Sequence, residues 1–307
     1  MNKIFAFCNQ KGGVGKTTTT LNLGTALAIM GHRSLIIDAD PQANTTSGIG
    51  VDVTSIKNSI YNIITGECEA VQAVVKTSVD QLFIIPANQD LIGAEVELAS
   101  AIGREFVLRE ACSGLKDEFD FILIDCPPSL GLLTLNALVL SDAIVIPLQC
   151  EYYALEGLSQ LMRTFQLVKE RLNRKLEIGG VILTMADFRT NLTQQVIDDV
   201  RKHFTNNVLQ SVIPRSVKIS EAPSFGKPVV IYDPSSKGAQ AYFNAAREFS
   251  ERNASSERKV TPKTDFSKSA EEISPVSKSE SLESMQSTGS DSVKVGEERG
   301  EENAVSR

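Results

Sequence analysis

Lys11-Gly12-Gly13-Val14-Gly15-Lys16-Thr17-Thr18 brings lysines, glycines and hydroxyls together in one short stretch. Glycines let a backbone curl tightly and aim several N–H groups at one point. An apolar run, Ile4–Cys8, precedes the stretch and an amphipathic run, Leu21–Met30, follows it, so the order is strand, glycine-rich turn, helix. A helix N-terminus adds partial positive charge, and Lys16 adds a full one. The chemistry this suits is the holding of a nucleotide polyphosphate, with the Thr17 hydroxyl on Mg²⁺. The common phosphate-loop pattern has Gly five residues before Gly15; here that place holds Gln10, and Lys11 opens the loop. A lysine there is not expected to wrap back onto the phosphates of its own loop, and so is free to reach another subunit.

Two further carboxylate motifs follow. Asp38-Ala39-Asp40-Pro41-Gln42 ends the second apolar run. Asp40 falls just past the strand, where it can accept a hydrogen bond from a water attacking a γ-phosphate; Asp38 is expected to orient the loop or the Mg²⁺ waters. A pair of turn-capping aspartates is the plainer reading of the same residues. Phe121-Ile122-Leu123-Ile124-Asp125 is an apolar strand ending in a hard oxygen donor, which suits the Mg²⁺ shell. Thr17, Asp40 and Asp125 form the expected metal set. Pro127-Pro128 after it makes a stiff loop able to move as a switch when the γ-phosphate leaves.

The elements that must position these groups are legible as alternation. Short continuous apolar runs at Ile4–Cys8, Ser34–Asp38, Leu82–Pro86, Phe121–Asp125, Ala143–Pro147, Gly180–Thr184 and Val208–Ile213 read as strands buried on both faces. Between them, helical patterns cover Thr17–Met30, Leu91–Ala101, Phe106–Leu115, Leu155–Leu172, Leu192–Phe204 and Lys237–Arg252. The predicted fold is α/β: one phosphate-loop domain, 1–252, with a mostly parallel twisted sheet flanked by helices on both faces. Ligands sit at the carboxyl ends of such strands, where each motif above falls. From 253 to 307 the chain is rich in Ser, Glu and Lys with one aromatic, Phe266, and no apolar period. That composition predicts a disordered tail, either a solubilising end or a partner-binding or phosphorylated segment.

Bulk composition excludes some classes. Of 307 residues, 42% are hydrophobic; 31 basic against 38 acidic residues give a net charge of -7, so no general basic coat exists, though local patches can still bind DNA. The five cysteines form no C-x-x-C pair and read as reduced core residues. No signal peptide and no apolar run of about 18 residues is found, which predicts a cytoplasmic protein without a membrane span.

Taken together, the three motifs resemble the deviant-Walker ATPases, specifically the ParA/Soj partition proteins. Asp40-Pro41-Gln42-Ala43-Asn44, Thr46–Gly50 (TSGIG), Arg189–Val196 (RTNLTQQV) and Ile213–Pro228 (IPRSVKISEAPSFGKP) carry the same resemblance. It covers about residues 1–250. It implies an ATPase, slow without its partner, with ATP and Mg²⁺ as cofactors. Lys11 resembles the signature lysine that crosses an ATP-sandwich homodimer, and Gly12 the residue at the subunit contact. Gly13, Val14 and Gly15 resemble the rest of the phosphate cradle. Lys16 resembles the lysine on the β- and γ-phosphates, Thr17 the Mg²⁺ ligand and Thr18 the α-phosphate contact. Asp40 resembles the carboxylate that positions the hydrolytic water, and Asp125 the aspartate that holds Mg²⁺ through water. Thr184–Asp187 and Ile213–Arg215, with Pro214 and Arg215 as named contacts, fall on loops that hold adenine in such folds. Arg189, Arg215 and Lys218 resemble residues that contact duplex DNA without sequence preference. Arg201 and Lys202 are additions from spacing alone. Lys218 stands where the family usually has Arg, losing the guanidinium fork, and Ala186 where a tyrosine is common. The implied partner is a ParB/Spo0J-like centromere-binding protein, and the implied location is the nucleoid.

Relatives with the same loop define the alternatives. A MinD-like division-site ATPase would end in a lipid-binding amphipathic helix, and Glu297–Asn303 has no apolar face; a protein-cargo positioning ATPase is a further alternative. A cluster reductase would need paired cysteines, a bacterial tyrosine kinase a C-terminal tyrosine cluster, and a metabolic enzyme room for a substrate domain. With the first strand at Ile4, an N-terminal helix-turn-helix extension is not expected.

Overall fold

Seven strands order themselves as β3-β4-β2-β5-β1-β6-β7 in one sheet. The computed structural model describes residues 2–151 and 158–253. The strands are β1 (Lys3–Phe7), β2 (Ser34–Asp38), β3 (Val75–Lys76), β4 (Leu82–Ile85), β5 (Phe121–Asp125), β6 (Ala143–Gln149) and β7 (Glu177–Thr184). Every neighbouring pair is parallel except β3–β4. Helices are α1 (Lys16–Ile29), α2 (Asn44–Gly48), α3 (Ile60–Ile64), α4 (Leu91–Ala99), α5 (Val107–Ala111), α6 (Leu132–Leu140), α7 (Leu158–Arg171), α8 (Asn191–Phe204), α9 (Val217–Glu221), α10 (Val229–Tyr232) and α11 (Lys237–Asn253).

Alternate strand residues feed opposite faces. Ile4, Ala6, Ile122, Ile124, Ile144 and Ile146 pack against the buried sides of α4, α6, α7 and α8. Phe5, Phe7, Phe121, Leu123 and Val145 pack against α1, α10 and α11. Both faces are therefore dry, which is why the strands read as unbroken apolar runs. On the second face Phe5 and Phe249 meet edge-on at 4.7 Å, a geometry worth about 0.5–1.5 kcal/mol beyond area burial. There too Thr19 Oγ1 and Tyr242 OH, both buried, lie 3.3 Å apart and tie α1 to α11. The cysteines are free; Cys8, Cys112, Cys126 and Cys150 are buried and Cys68 is half-buried, as expected of reduced core residues.

The expected strand at Val208–Ile213 does not form. Leu209 N–H donates to Val181 and Ile213 N–H to Leu183, but between them the Gln210 and Ser211 N–H groups turn to the Glu248 carboxylate on α11. Only the bridges Val181–Val208 and Ala186–Pro214 remain. The expected helix Phe106–Leu115 divides into α5 and a 3-10 turn, Ser113–Asp117, at the Ser113-Gly114 pair. The tail expected over 253–307 lies, apart from Asn253, outside the described residues, as do the first three residues of the helix expected from Leu155.

Candidate functional site

Parallel register assembles the site. Phe7, Asp38 and Asp125 end β1, β2 and β5, and Asp125 is in register with both Phe7 and Asp38. The glycine-rich loop leaves β1 on one side of Asp125, and the Asp40 loop leaves β2 on the other. Gly13 and Gly15 take φ +72 and +86, left-handed values that side chains rarely adopt, and so turn the chain into α1. Lys16, the first residue of α1, is buried. Across the loop, Thr184 at the end of β7 donates its hydroxyl to the Val14 carbonyl at 2.8 Å. Asn9 braces the loop from behind: its amide donates to Pro147 O at 2.8 Å, and its Oδ1 accepts from Lys11 N–H at 3.0 Å.

The aspartates divide their work. Asp38 is fully buried; its Oδ2 accepts from the Thr46 hydroxyl (2.7 Å) and N–H (2.9 Å), its Oδ1 from Asp40 N–H (3.2 Å). Thr46 Oγ1 in turn accepts from Ala87 N–H at 3.0 Å. Asp38 is thus the anchor of the loop that carries Asp40. Asp40 accepts from Gln42 N–H at 3.0 Å. Asp125 Oδ2 accepts from the Thr45 hydroxyl at 2.7 Å, and the Thr17 hydroxyl lies close enough to Asp125 to lower its pKa. Burial, and then the charge of neighbouring Asp125, raises Asp38 to about 7. Burial likewise raises Asp125 to about 6, with Asp40 adding to it and the Thr45 and Thr17 hydroxyls and Lys16 opposing it. Asp125 Oδ1 is buried with no hydrogen-bond partner among the described residues. An orphaned, crowded carboxylate oxygen beside the Thr17 hydroxyl fits the water shell of a Mg²⁺ ion, whose charge would relieve the crowding.

Lys11 does not turn back onto its own loop. Its Nζ pairs with Glu151 Oε2 at 3.0 Å, with 40% and 45% of the two side chains exposed. Arg215 approaches the other oxygen of Glu151 at 3.8 Å. Gly12 has open space around it among the described residues: a Cβ there would meet none of them within 4 Å. The two loops expected around a base lie side by side, because Ala186 pairs with Pro214 and Arg215 N–H donates to Ala186 O at 3.0 Å. The candidate DNA cations sit on three separate segments, each with a carboxylate. Arg189, 86% exposed, grips Asp187 through two nitrogens at 2.8 and 2.6 Å, which holds the Asp187 carboxyl down at about 2. Lys218 pairs with Glu221 at 2.6 Å, and Lys202 with Asp199 at 3.4 Å. Arg201 reaches Gln210 O at 3.4 Å. Thr45, Asn9 and Glu151 were not marked by sequence reasoning; Thr46 was marked only as part of the TSGIG motif and Thr184 only as part of a base loop. Only the paired threonines after Asp40 carried a usable signal, as hydroxyls in a loop of carboxylates.

The family model described as an AAA domain matches residues 2–178. The sporulation initiation inhibitor protein Soj of Bacillus subtilis is 53% identical over 248 residues, 81% of this chain and 98% of that protein. The chromosome partitioning protein ParA of Caulobacter vibrioides is 52% identical, covering 80% of this chain and 93% of that one. The chain belongs to the ParA/Soj family. Among solved structures, that of Mycobacterium smegmatis cobyrinic acid a,c-diamide synthase with bound ADP and magnesium is 38% identical with a TM-score of 0.71, over 80% of this chain and 93% of that one. The Pyrococcus furiosus cell division ATPase MinD is 31% identical with a TM-score of 0.69, over 82% and 99%. This ParA/Soj chain is an ATPase that uses ATP and Mg²⁺, on a mostly parallel phosphate-loop fold. Lys16 and the loop amides could hold the phosphates, and Thr17 with Asp125 could hold the metal, which would supply charge neutralisation for the leaving group.

Proposed function

We propose that this chain is a partition ATPase: ATP closes two copies face to face, the dimer binds duplex DNA without sequence preference, and a cargo-bound ParB/Spo0J-like partner stimulates hydrolysis and release. The observation that carries this reading is the placement of Lys11. It stands away from its own loop, at the surface, held by one solvent-exposed ion pair that contributes about 0–1 kcal/mol and is therefore easily exchanged for a phosphate. The space around Gly12 supports it: a side chain there fits a single copy, so any loss of function on enlarging it would come from a second copy. Asp40 positions the attacking water, Gly13–Thr18 cradle the phosphates, and Pro214 and Arg215 line the base. Arg189, Arg215 and Lys218 contact DNA phosphates, each by exchanging its local carboxylate. The site of action is the cytoplasm, on the nucleoid. The Soj and ParA relatives are about half identical over nearly their whole length, whereas the diamide synthase and MinD are more distant.

The test is binding of non-specific duplex with ATP, ADP or no nucleotide at low and moderate salt. Binding with ATP alone that falls steeply with salt is expected, because phosphate contacts release counterions. Asp40→Ala should keep ATP and stay on DNA. Lys16→Ala should lose both nucleotide and DNA. Arg189→Glu with Arg215→Glu should keep ATP-dependent self-association and lose DNA. Equal DNA binding in all nucleotide states would overturn the reading.

A further inference from the structure

Two sequence motifs, TSGIG and SFGKP, are given no task by phosphate or metal chemistry. In the fold their glycines touch. A Cβ on Gly50 would lie 2.9 Å from the Gly226 carbonyl oxygen, and a Cβ on Gly226 would lie 3.1 Å from Gly50 Cα and 3.6 Å from Ser47 O. Both residues take left-handed φ, +86 and +61. The contact is backbone on backbone, and each glycine leaves the room the other needs.

Each partner is rigidly tied to one side of the proposed switch. On the nucleotide side, α2 is bolted to the site: Thr45 donates to Asp125 and Thr46 to Asp38. The end of α2 is pinned onto α1, where a Cβ on Gly48 would meet Leu21 at 2.9 Å. Gly50 N–H donates back to Ser47 O at 3.0 Å, so Gly50 moves with α2. On the other side, Gly226 closes the 3-10 turn Ala222–Phe225 that directly follows α9. There Phe225 stacks on Tyr232 at 4.9 Å, Tyr232 OH donates to Glu221 at 2.9 Å, and Glu221 holds Lys218. Arg215 lies two residues before α9.

We infer that the Gly50–Gly226 contact positions the Arg215–Lys218 segment according to the state of the nucleotide loop, so that affinity for DNA phosphates follows the bound nucleotide. This rests on the DNA-binding reading above. Asp40 and Gly50 bracket α2, so a shift of the Asp40 loop on loss of the γ-phosphate passes to Gly226 without an intervening side chain to absorb it. A side chain at either glycine wedges the two loops apart and breaks that transmission, leaving the phosphate cradle untouched.

The test uses the full chain and three variants. Gly226→Asn keeps the left-handed backbone accessible, because Asn tolerates it, yet adds a side chain at the contact. Phe225→Ala loosens the turn from a 58% exposed position. Gly31→Ala is the control: its φ is +89, but a Cβ there meets nothing within 4 Å. Fluorescence anisotropy with a labelled non-specific duplex gives the ratio of affinities in ATP and ADP; turnover gives kcat and KM for ATP. Gly226→Asn is expected to hold the KM within about threefold while the ATP-to-ADP affinity ratio falls about tenfold or more. Phe225→Ala should fall part of the way, and Gly31→Ala should match the parent. A parent that shows no ATP preference for DNA would defeat the DNA-binding reading itself. A parent with that preference and a Gly226→Asn ratio unchanged would defeat the coupling alone. So would a parallel fall of ratio and melting temperature in Gly226→Asn and Gly31→Ala. Should Gly226→Asn fail to fold, an unchanged ratio in Phe225→Ala defeats it equally.

Discussion

Replacing Thr45 with Val removes one hydroxyl from the buried carboxylate pair and leaves a side chain of nearly the same shape. Thr45 Oγ1 donates to Asp125 Oδ2 at 2.7 Å, and this bond is the largest influence holding Asp125 down against its burial. A hydrogen bond to a charged group contributes about 1.5–3 kcal/mol, and each 1.36 kcal/mol is tenfold. Asp125 already stands at about 6; without Thr45 it rises further, so a larger share of it is protonated at neutral pH. Mg²⁺ must then displace a proton, so its half-saturating concentration in ATP hydrolysis should rise roughly 2- to 15-fold at pH 7 and roughly 4- to 40-fold at pH 6.5. The sign with pH is fixed: the defect should shrink as pH rises to 8.5, because only the ionised carboxylate serves the metal. The assay is a Mg²⁺ titration of turnover at saturating ATP from pH 6.5 to 8.5. A half-saturating concentration within about twofold of the parent at every pH would refute the assignment of Asp125 and Thr45.

Glu151→Gln should release both Lys11 and Arg215 at a stability cost below about 1 kcal/mol, since the pairs lie in water. Sedimentation should then show self-association at lower ATP concentration; weaker association would mean that Glu151 acts in the closed state. Nucleotide-free protein should lose stability as pH rises from about 4 to 7, because the raised Asp38 and Asp125 bind protons in the folded state that the unfolded chain has already released. Urea unfolding at pH 5.5 and 7.5 reads this, with a smaller slope expected in Asp38→Asn; a slope unchanged in that variant would contradict it. Thr184→Val removes the hydroxyl that fixes Val14 O, a neutral bond of about 1 kcal/mol, so the KM for ATP should rise about fivefold with kcat little changed. A fall in kcat alone would show that Thr184 serves the chemistry instead.

Wherever burial and periodicity agree, the sequence displays the fold. Ser34–Asp38 and Phe121–Asp125 are read to the residue because all five positions of each are buried and, Ser34 apart, apolar up to the terminal aspartate. Leu132–Leu140 escapes notice as a helix for the opposite reason: it is apolar nearly all round, so no 3.6-residue stripe marks it. Val75–Lys76 is too short to show any period. Val208–Ile213 has strand composition, but its ladder is interrupted by Glu248, nearly forty positions further along the chain. The site follows the same rule. Phosphate-loop residues are adjacent in sequence and legible; Thr184 on Val14 and Glu151 on Lys11 are contacts across the chain, created only when strands fall into register.

That register has a consequence for how such a chain can change over time. Asp38 and Asp125 face each other because β2 and β5 are paired residue for residue from Ser34 and Phe121 onward. Insertion or loss of one residue within either strand would swing its aspartate to the opposite face of the sheet. The strands therefore behave as fixed-length rulers, intolerant of indels though tolerant of apolar exchange. Length variation is left to the connections at the far end from the nucleotide. New specificities on this scaffold should accordingly arise by editing loops and tails around an unchanging gauge.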